Sequence, residues 1–220
     1  MGMLSAPHGA PQTRLMVPCS AMQSIIFEQT VLLIGNAPLS ELERAWVNRF
    51  DGPVICADGG RRHWDGCGAI VIGDGDSIEA KPDDQIIIDH DQNTTDLGKC
   101  LARVKAPAIT GVGFLGGRWD HSLTNLSALL KHPHLTLLDQ LQQIQGCNGQ
   151  YRGLHQIGET LGVIPAESCT FKYSTGLRYP LDGLLLEPGG AVGSSNTCKE
   201  AEVRVEGQGN FWWICASPIN

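Results

Sequence analysis

The stretch PVICADGGRRHWDGCGAIVIGDGDS, residues 53–77, holds two short apolar runs, and each stops at an aspartate beside glycine. Runs of this length, bounded by turn residues, predict strands buried on both faces, as in a parallel sheet. The flanking sequence repeats the figure. TVLLIGN (30–36), DQIIIDHD (84–91), AITGVGFLGG (108–117) and LTLLDQ (135–140) are further apolar runs closed by Gly, Asn or Asp. Between them lie helical patterns. In SELERAWVNRF (40–50), Ser40 and Glu43 make a capping box, and Leu42, Ala45, Trp46 and Phe50 share a face. In TDLGKCLARV (95–104), Thr95 suits the cap, and Leu97, Cys100, Leu101 and Val104 repeat at helical spacing. In DHSLTNLSALLKH (120–132), Leu123, Leu126, Leu129 and Leu130 are in phase. Strands alternating with helices predict an α/β domain with a mostly parallel sheet over residues 25–145. In such a sheet the ligand crevice lies beyond the carboxyl ends of the strands, which gathers Asp58, Asp74, Asp76 and Asp89 there.

The pattern changes after residue 148. GETLGVIPAES, CTFKYSTGL, GLLLEPGGAVGSS, AEVRVEG and FWWICAS are short, β-rich and divided by Gly and Pro, with no helical pattern. This predicts a smaller all-β domain, sandwich- or barrel-like, over 150–220, with QGCNGQYRG (145–153) as the junction. Residues 1–24, rich in Pro, Ala and Gly, read as a loose extension, and Met22 offers an alternative start.

The chain has 220 residues, 42% of them hydrophobic, and a formal charge of −7, so a true core is expected. No lysine-rich run is present, which argues against a nucleic-acid partner, and no stretch is long enough to span a membrane. The eight cysteines include no CxxC pair, and several sit in apolar runs, which suits reduced thiols in the cytoplasm. His132 and His134 lack a Cys or His partner at zinc spacing.

Taken singly, ADGG or GDGDS is a strand-to-loop turn rich in the usual residues. Together in one sheet they suit Mg²⁺, a hard cation that takes a few carboxylates plus substrate phosphates. Gly59 and Gly60 let backbone approach a phosphate chain. Asp96 adds a third acidic segment in a first helical turn, where it also favours the helix dipole. In GGRWDHS, Arg118 offers a planar fork to a phosphate, and Asp120 and His121 open the next helix. No Walker or dinucleotide fingerprint is present. The residues alone therefore lead to a metal-dependent phosphate site on an α/β sheet.

The series ADGG, GDGDS, DQNTTDLGKCL, GGRWDHSLTNL, GLRYPL and GSSN, in this order, resembles the thiamine pyrophosphokinase family from about residue 30 onward. The resemblance implies transfer of pyrophosphate from ATP to the hydroxyethyl group of thiamine, giving thiamine diphosphate and AMP, in a homodimer with sites between subunits. It implies that Asp58, Asp74, Asp76 and Asp96 hold Mg²⁺, with Asp74, Asp76 and Asp96 catalytic. Gly59, Gly60, Arg118, Asp120 and His121 would serve the ATP phosphates. Gln92, Thr95, Ser195, Asn196 and Cys198 would line the thiamine pocket. Two positions depart from the family pattern: Gly75, where a larger side chain is common, and Cys198, where some members place an aromatic. Phe211, Trp212 and Trp213 offer a dimer interface, or in part an internal contact where strand alternation turns them inward. Two rival readings stay open, a Mg²⁺-dependent nucleotide pyrophosphohydrolase and a non-catalytic thiamine or nucleotide sensor.

Overall fold

The computed structural model describes residues 24–219. The expected N-terminal extension, Ser24 apart, and Met22 with it, lie outside the described residues. In chain order the first half comprises β1 (Ile25–Ile26), β2 (Val31–Ile34), α1 (Glu41–Val47), β3 (Val54–Ala57), a 3₁₀ turn (Asp58–His63), β4 (Ile70–Gly73), β5 (Gln85–Ile88), α2 (Asp96–Arg103), β6 (Val104–Lys105), β7 (Ile109–Val112), α3 (Trp119–Leu129) and β8 (Leu135–Leu138). The second half is strand: β9 (Gln142–Leu154), β10 (Thr160–Pro165), β11 (Cys169–Thr175), β12 (Leu185–Leu186), β13 (Gly193–Thr197) and β14 (Glu202–Ala216).

Both expected caps form. Ser40 and Glu43 close a capping box on α1, and the Thr95 hydroxyl accepts the Gly98 N–H at the start of α2. Apart from β1 and β6, which pair only with each other, the strands of the first half run parallel in the order β8-β7-β2-β3-β4-β5. Their alternate residues feed two cores. Val31, Leu33, Ile55 and Ile72 pack with Leu97 and Leu101 of α2 and Leu129 of α3, while Leu32, Ile34, Val54 and Val71 pack with Val47 of α1.

The expectation of a mostly parallel sheet requires correction. One mixed twelve-stranded sheet runs through both halves, with five parallel and six antiparallel pairings. The join is β8 to β9, which pair antiparallel. Its cause is local. A parallel return needs a crossover of a dozen or so residues, and only Asp139–Leu141 separate these strands. The Asp139 carboxylate accepts the backbone N–H groups of Leu141 and Gln142 and sets the turn.

Beyond that join, β9 and β14 form a long antiparallel ribbon whose register breaks between Glu206 and Asn210. Gly149 (φ 64°) and Gly209 (φ 93°) lie at the break, in backbone territory that favours glycine. The ribbon folds over there. Tyr151, opposite Val205, thereby stacks on Trp213, opposite Gln145, at a centroid distance of 3.8 Å. Phe211 and Trp213 are buried in this second core, and the Trp212 indole N–H donates to the Leu126 carbonyl of α3. These aromatics are therefore internal packing, not a free interface. Two helical faces also differ from expectation: Leu42 and Leu123 are exposed, because Glu43 and Val47 turn inward on α1, and Ser122 and Asn125 on α3.

Candidate active site

β3, β4 and β5 end side by side, with Ala57 opposite Ile72 and Gly73 opposite Ile88. The next residues along each are Asp58, Asp74 and Asp89, so in-register parallel strands deliver three carboxylates to one edge. Carboxylate oxygens of Asp58, Asp74 and Asp76 approach one another within 4.8 Å. Asp58 is held tightly. A Cβ on Gly73 would fall 2.5 Å from its Oδ1, so only glycine leaves room for it. Its backbone sits at φ 45°, and its Oδ1 is buried without a hydrogen-bond partner among the described residues. Burial first, then the charges of Asp96, Asp74 and Asp76, push its carboxyl above the ordinary range, against a backbone hydrogen bond from Gly75. Gly75 itself has φ 96°, which accounts for glycine between the two acids.

Asp74 is held low, chiefly by the Asp76 backbone N–H, with Lys99 and the Gln92 side chain adding to it. Lys99 is a member of the site that was given no role from the sequence, although it lies within DQNTTDLGKCL. It is 4% exposed, and its Nζ lies 3.5 Å from Asp96 and 3.8 Å from Asp74. The legible signal was its place one helical turn after Asp96, among the inward positions Leu97, Cys100 and Leu101. Asp89 is engaged elsewhere, accepting from Arg103 at 2.9 Å.

A cavity of about 320 Å³ adjoins Asp96 and Thr95. Gly116, Gly117, Arg118 and His121 also line it, with Asn36 and Asn125 as further polar groups that were given no role from the sequence although both lie in the quoted stretches. Arg118 is exposed and its guanidinium forks onto Asp120. That hydrogen bond holds the Asp120 carboxyl down at about 2.

The expected thiamine positions divide. Gln92 and Thr95 stand by the acidic cluster. Ser195 lines a different, open cavity of about 1260 Å³ on the second half. Asn196 is buried, its amide exchanging hydrogen bonds with the Tyr179 backbone and accepting from Thr197 N–H. Cys198 is buried in the second core. Among the described non-glycine residues only Asp58 and Ser195 have positive φ, and such strain gathers at functional positions.

A family model described as the catalytic domain of thiamin pyrophosphokinase matches residues 49–138, and one described as its vitamin B1 binding domain matches 150–209. The chain belongs to the thiamin pyrophosphokinase family. Thiamine pyrophosphokinase 1 of Arabidopsis thaliana is 32% identical over 143 residues, covering 56% of this chain and 53% of that protein. Thiamine pyrophosphokinase 1 of Oryza sativa subsp. japonica is 27% identical over 210 residues, covering 72% and 76%. The chain thus spans about half the length of the Arabidopsis relatives it matches. Two solved thiamin pyrophosphokinases share the fold: that of Bacillus subtilis (TM-score 0.70, 22% identity, 86% of this chain and 99% of that one) and that of yeast (0.72, 14%, 92% and 94%). Among the described residues no helix is long and apolar enough to cross a membrane.

Proposed function

We propose that the chain is a thiamine diphosphokinase, transferring pyrophosphate from ATP to the thiamine hydroxyl to give thiamine diphosphate and AMP. The observation that carries this reading is the convergence of Asp58, Asp74 and Asp76 in the region matching the family's catalytic domain, ahead of a region matching its vitamin B1 binding domain. The cluster fits Mg²⁺. Its donors are all carboxylate oxygens, and Asp58 Oδ1 is buried with no donor to satisfy it. Asp58, Asp74, Asp76 and Asp96 would hold the ion, which when bound neutralises phosphate charge.

The chain's own residues do the rest by placement. The thiamine hydroxyl oxygen bonds to the β-phosphorus of ATP, the bond from that phosphorus to the bridging oxygen of the α-phosphate breaks, and AMP departs. Asp96, which of the four proposed metal-holding carboxylates is the one lining the cavity, takes the hydroxyl proton. Lys99 reaches both Asp96 and Asp74 and holds them in place. Gly116, Gly117, Arg118 and His121 face the phosphates from the other wall, with Asp120 orienting Arg118. Gly59 and Gly60 give the phosphates a close backbone, and Gln92 and Thr95 meet thiamine beside the acids.

Ser195 completes the thiamine pocket from a second copy of the chain, while Asn196 braces its strand through Tyr179 and Cys198 packs in the second core beneath it. Within one copy, Ser195 and Asp96 line separate cavities. The division into a catalytic part (25–145) and a thiamine-binding, dimerising part (150–220) accords with the two matched regions. Seven described cysteines are free thiols, which suits the cytoplasm. Incubation with ATP and Mg²⁺, with and without thiamine, tests the reading. AMP should appear only with thiamine; AMP without it indicates a hydrolase, and none in either case a sensor.

A further inference from the structure

Among the described residues a second group of three metal-capable side chains converges far from the acidic cluster in sequence. Atoms of His155, Glu159 and Cys215 lie within 4.8 Å of one another, and all three line the larger cavity. We infer that this group is a site for a borderline-soft divalent cation, Zn²⁺ by preference.

The donor set sets the metal class. One imidazole nitrogen, one carboxylate oxygen and one thiol sulfur match zinc, whereas Mg²⁺ takes oxygen alone. The ligands are also oriented. Tyr151 Oη meets His155 Nε2 at 2.8 Å, which turns Nδ1 toward Glu159 Oε2 at 3.2 Å. Glu159 is fixed in turn by the backbone N–H groups of Gln156 and Ala216. Gln143 donates to Cys215 Sγ at 3.2 Å. Hydrogen bonds of this kind to the far side of a ligand hold metal-site side chains in tautomer and direction. A structural His–Glu hydrogen bond would need no sulfur beside it. The three ligands leave the fourth position of a tetrahedron to a water or small anion from the cavity.

The chain positions of the ligands say what the ion does. His155 comes just after one end of β9, while Cys215 pairs with Gln143 at the other end. In a straight ribbon these ends would be ~37 Å apart. The fold at the register break brings them together, so the ion clamps the ribbon shut. The ligand spacing, 155, 159 and 215, matches no sequence pattern for zinc, which is why none was visible there.

The test is a Co²⁺ titration of the tag-free, chelator-treated chain in excess Mg²⁺, so that the all-oxygen cluster is occupied. One equivalent of Co²⁺ should raise a thiolate-to-cobalt charge-transfer band and tetrahedral d–d bands, and Zn²⁺ should abolish both. Cys215→Ser should lose the charge-transfer band, and Cys67→Ser, at an exposed thiol, should keep it. Gln143→Leu, which keeps all three ligands, should weaken Co²⁺ binding by about 10–100-fold. If Cys215→Ser fails to fold, the wild-type and Gln143→Leu titrations decide. No charge-transfer band in the wild type, a band unchanged by Cys215→Ser, or unaltered affinity in Gln143→Leu overturns the assignment.

Discussion

Asp58 occupies backbone conformations that non-glycine residues avoid, at a cost of about 1–3 kcal/mol, and it also buries an unsatisfied carboxylate oxygen. Both costs fall on the metal-free protein. Because the folded-state pKa of Asp58 is raised, its contribution to stability is fully present in acid and is lost as pH rises through that raised value. Asp58→Asn should therefore raise the melting temperature at neutral pH without Mg²⁺, while abolishing most AMP formation. A lower melting temperature for the variant would contradict this account. Asp76 is exposed, so its loss should separate function from fold differently. Asp76→Asn should leave the melting temperature unchanged and reduce turnover by about 100-fold, the scale of one lost transition-state contact. Cys198 gives the converse case. It is buried, so replacement by tryptophan in search of an aromatic contact with thiamine would overpack the second core and cost about 1–3 kcal/mol, read as a lower urea midpoint.

At the scale of single elements, the 3₁₀ turn after β3 is anchored from below. Arg61, fully buried, donates to Asp84 at 2.6 Å, and Asp84 also accepts the backbone N–H groups of Lys81 and Ala69. Burial alone pushes the Asp84 carboxyl up, but Arg61 and these N–H groups outweigh it and hold it low. Breaking the pair with Asp84→Asn should cost about 3–5 kcal/mol at neutral pH. The deficit relative to wild type should shrink in acid, as pH falls through the depressed folded value below about 3.9. Urea unfolding of both proteins at neutral pH and in acid measures the difference. Such anchoring was out of reach of the sequence, because Arg61 and Asp84 are joined only once β3, β4 and β5 are placed. Strands and caps were legible: TVLLIGN, Ser40 with Glu43, and Thr95 each carry their signal within a few residues. The same locality made the aspartate edge readable, since parallel strands that end together carry their next residues to a common edge. Helix faces were read less well. Leu42 and Leu123 fit an apolar stripe, yet partner geometry turned Glu43 and Asn125 inward instead. The β8–β9 join was hidden because QGCNGQYRG (145–153), read as the junction, lies inside β9, while Asp139–Leu141 carries no Gly, Asn or Pro to mark a hairpin.

At the scale of the whole molecule, Leu141, Leu154 and Ile157 are large, apolar and more than two-thirds exposed, and all three line the cavity that carries Ser195. A second copy bringing its acidic cluster to that face would cover them. Ile157→Arg should then yield a folded monomer by sedimentation, with thiamine-dependent AMP formation lost although no acidic residue has changed. A dimer that survives this change with full activity would place the interface elsewhere. The ribbon of β9 and β14 has a further consequence, in time rather than space. β14 is the last strand among the described residues, and β9, β10 and β11 all pair with it. During synthesis, the parallel block can assemble while these strands still wait for their common neighbour. Until Glu202–Ala216 arrives, β9 presents an unpaired edge, the kind of surface that invites pairing with another chain. The interval between translating β9 and β14 is thus the period in which this protein is most exposed to misassembly, and most dependent on prompt arrival of its final strand.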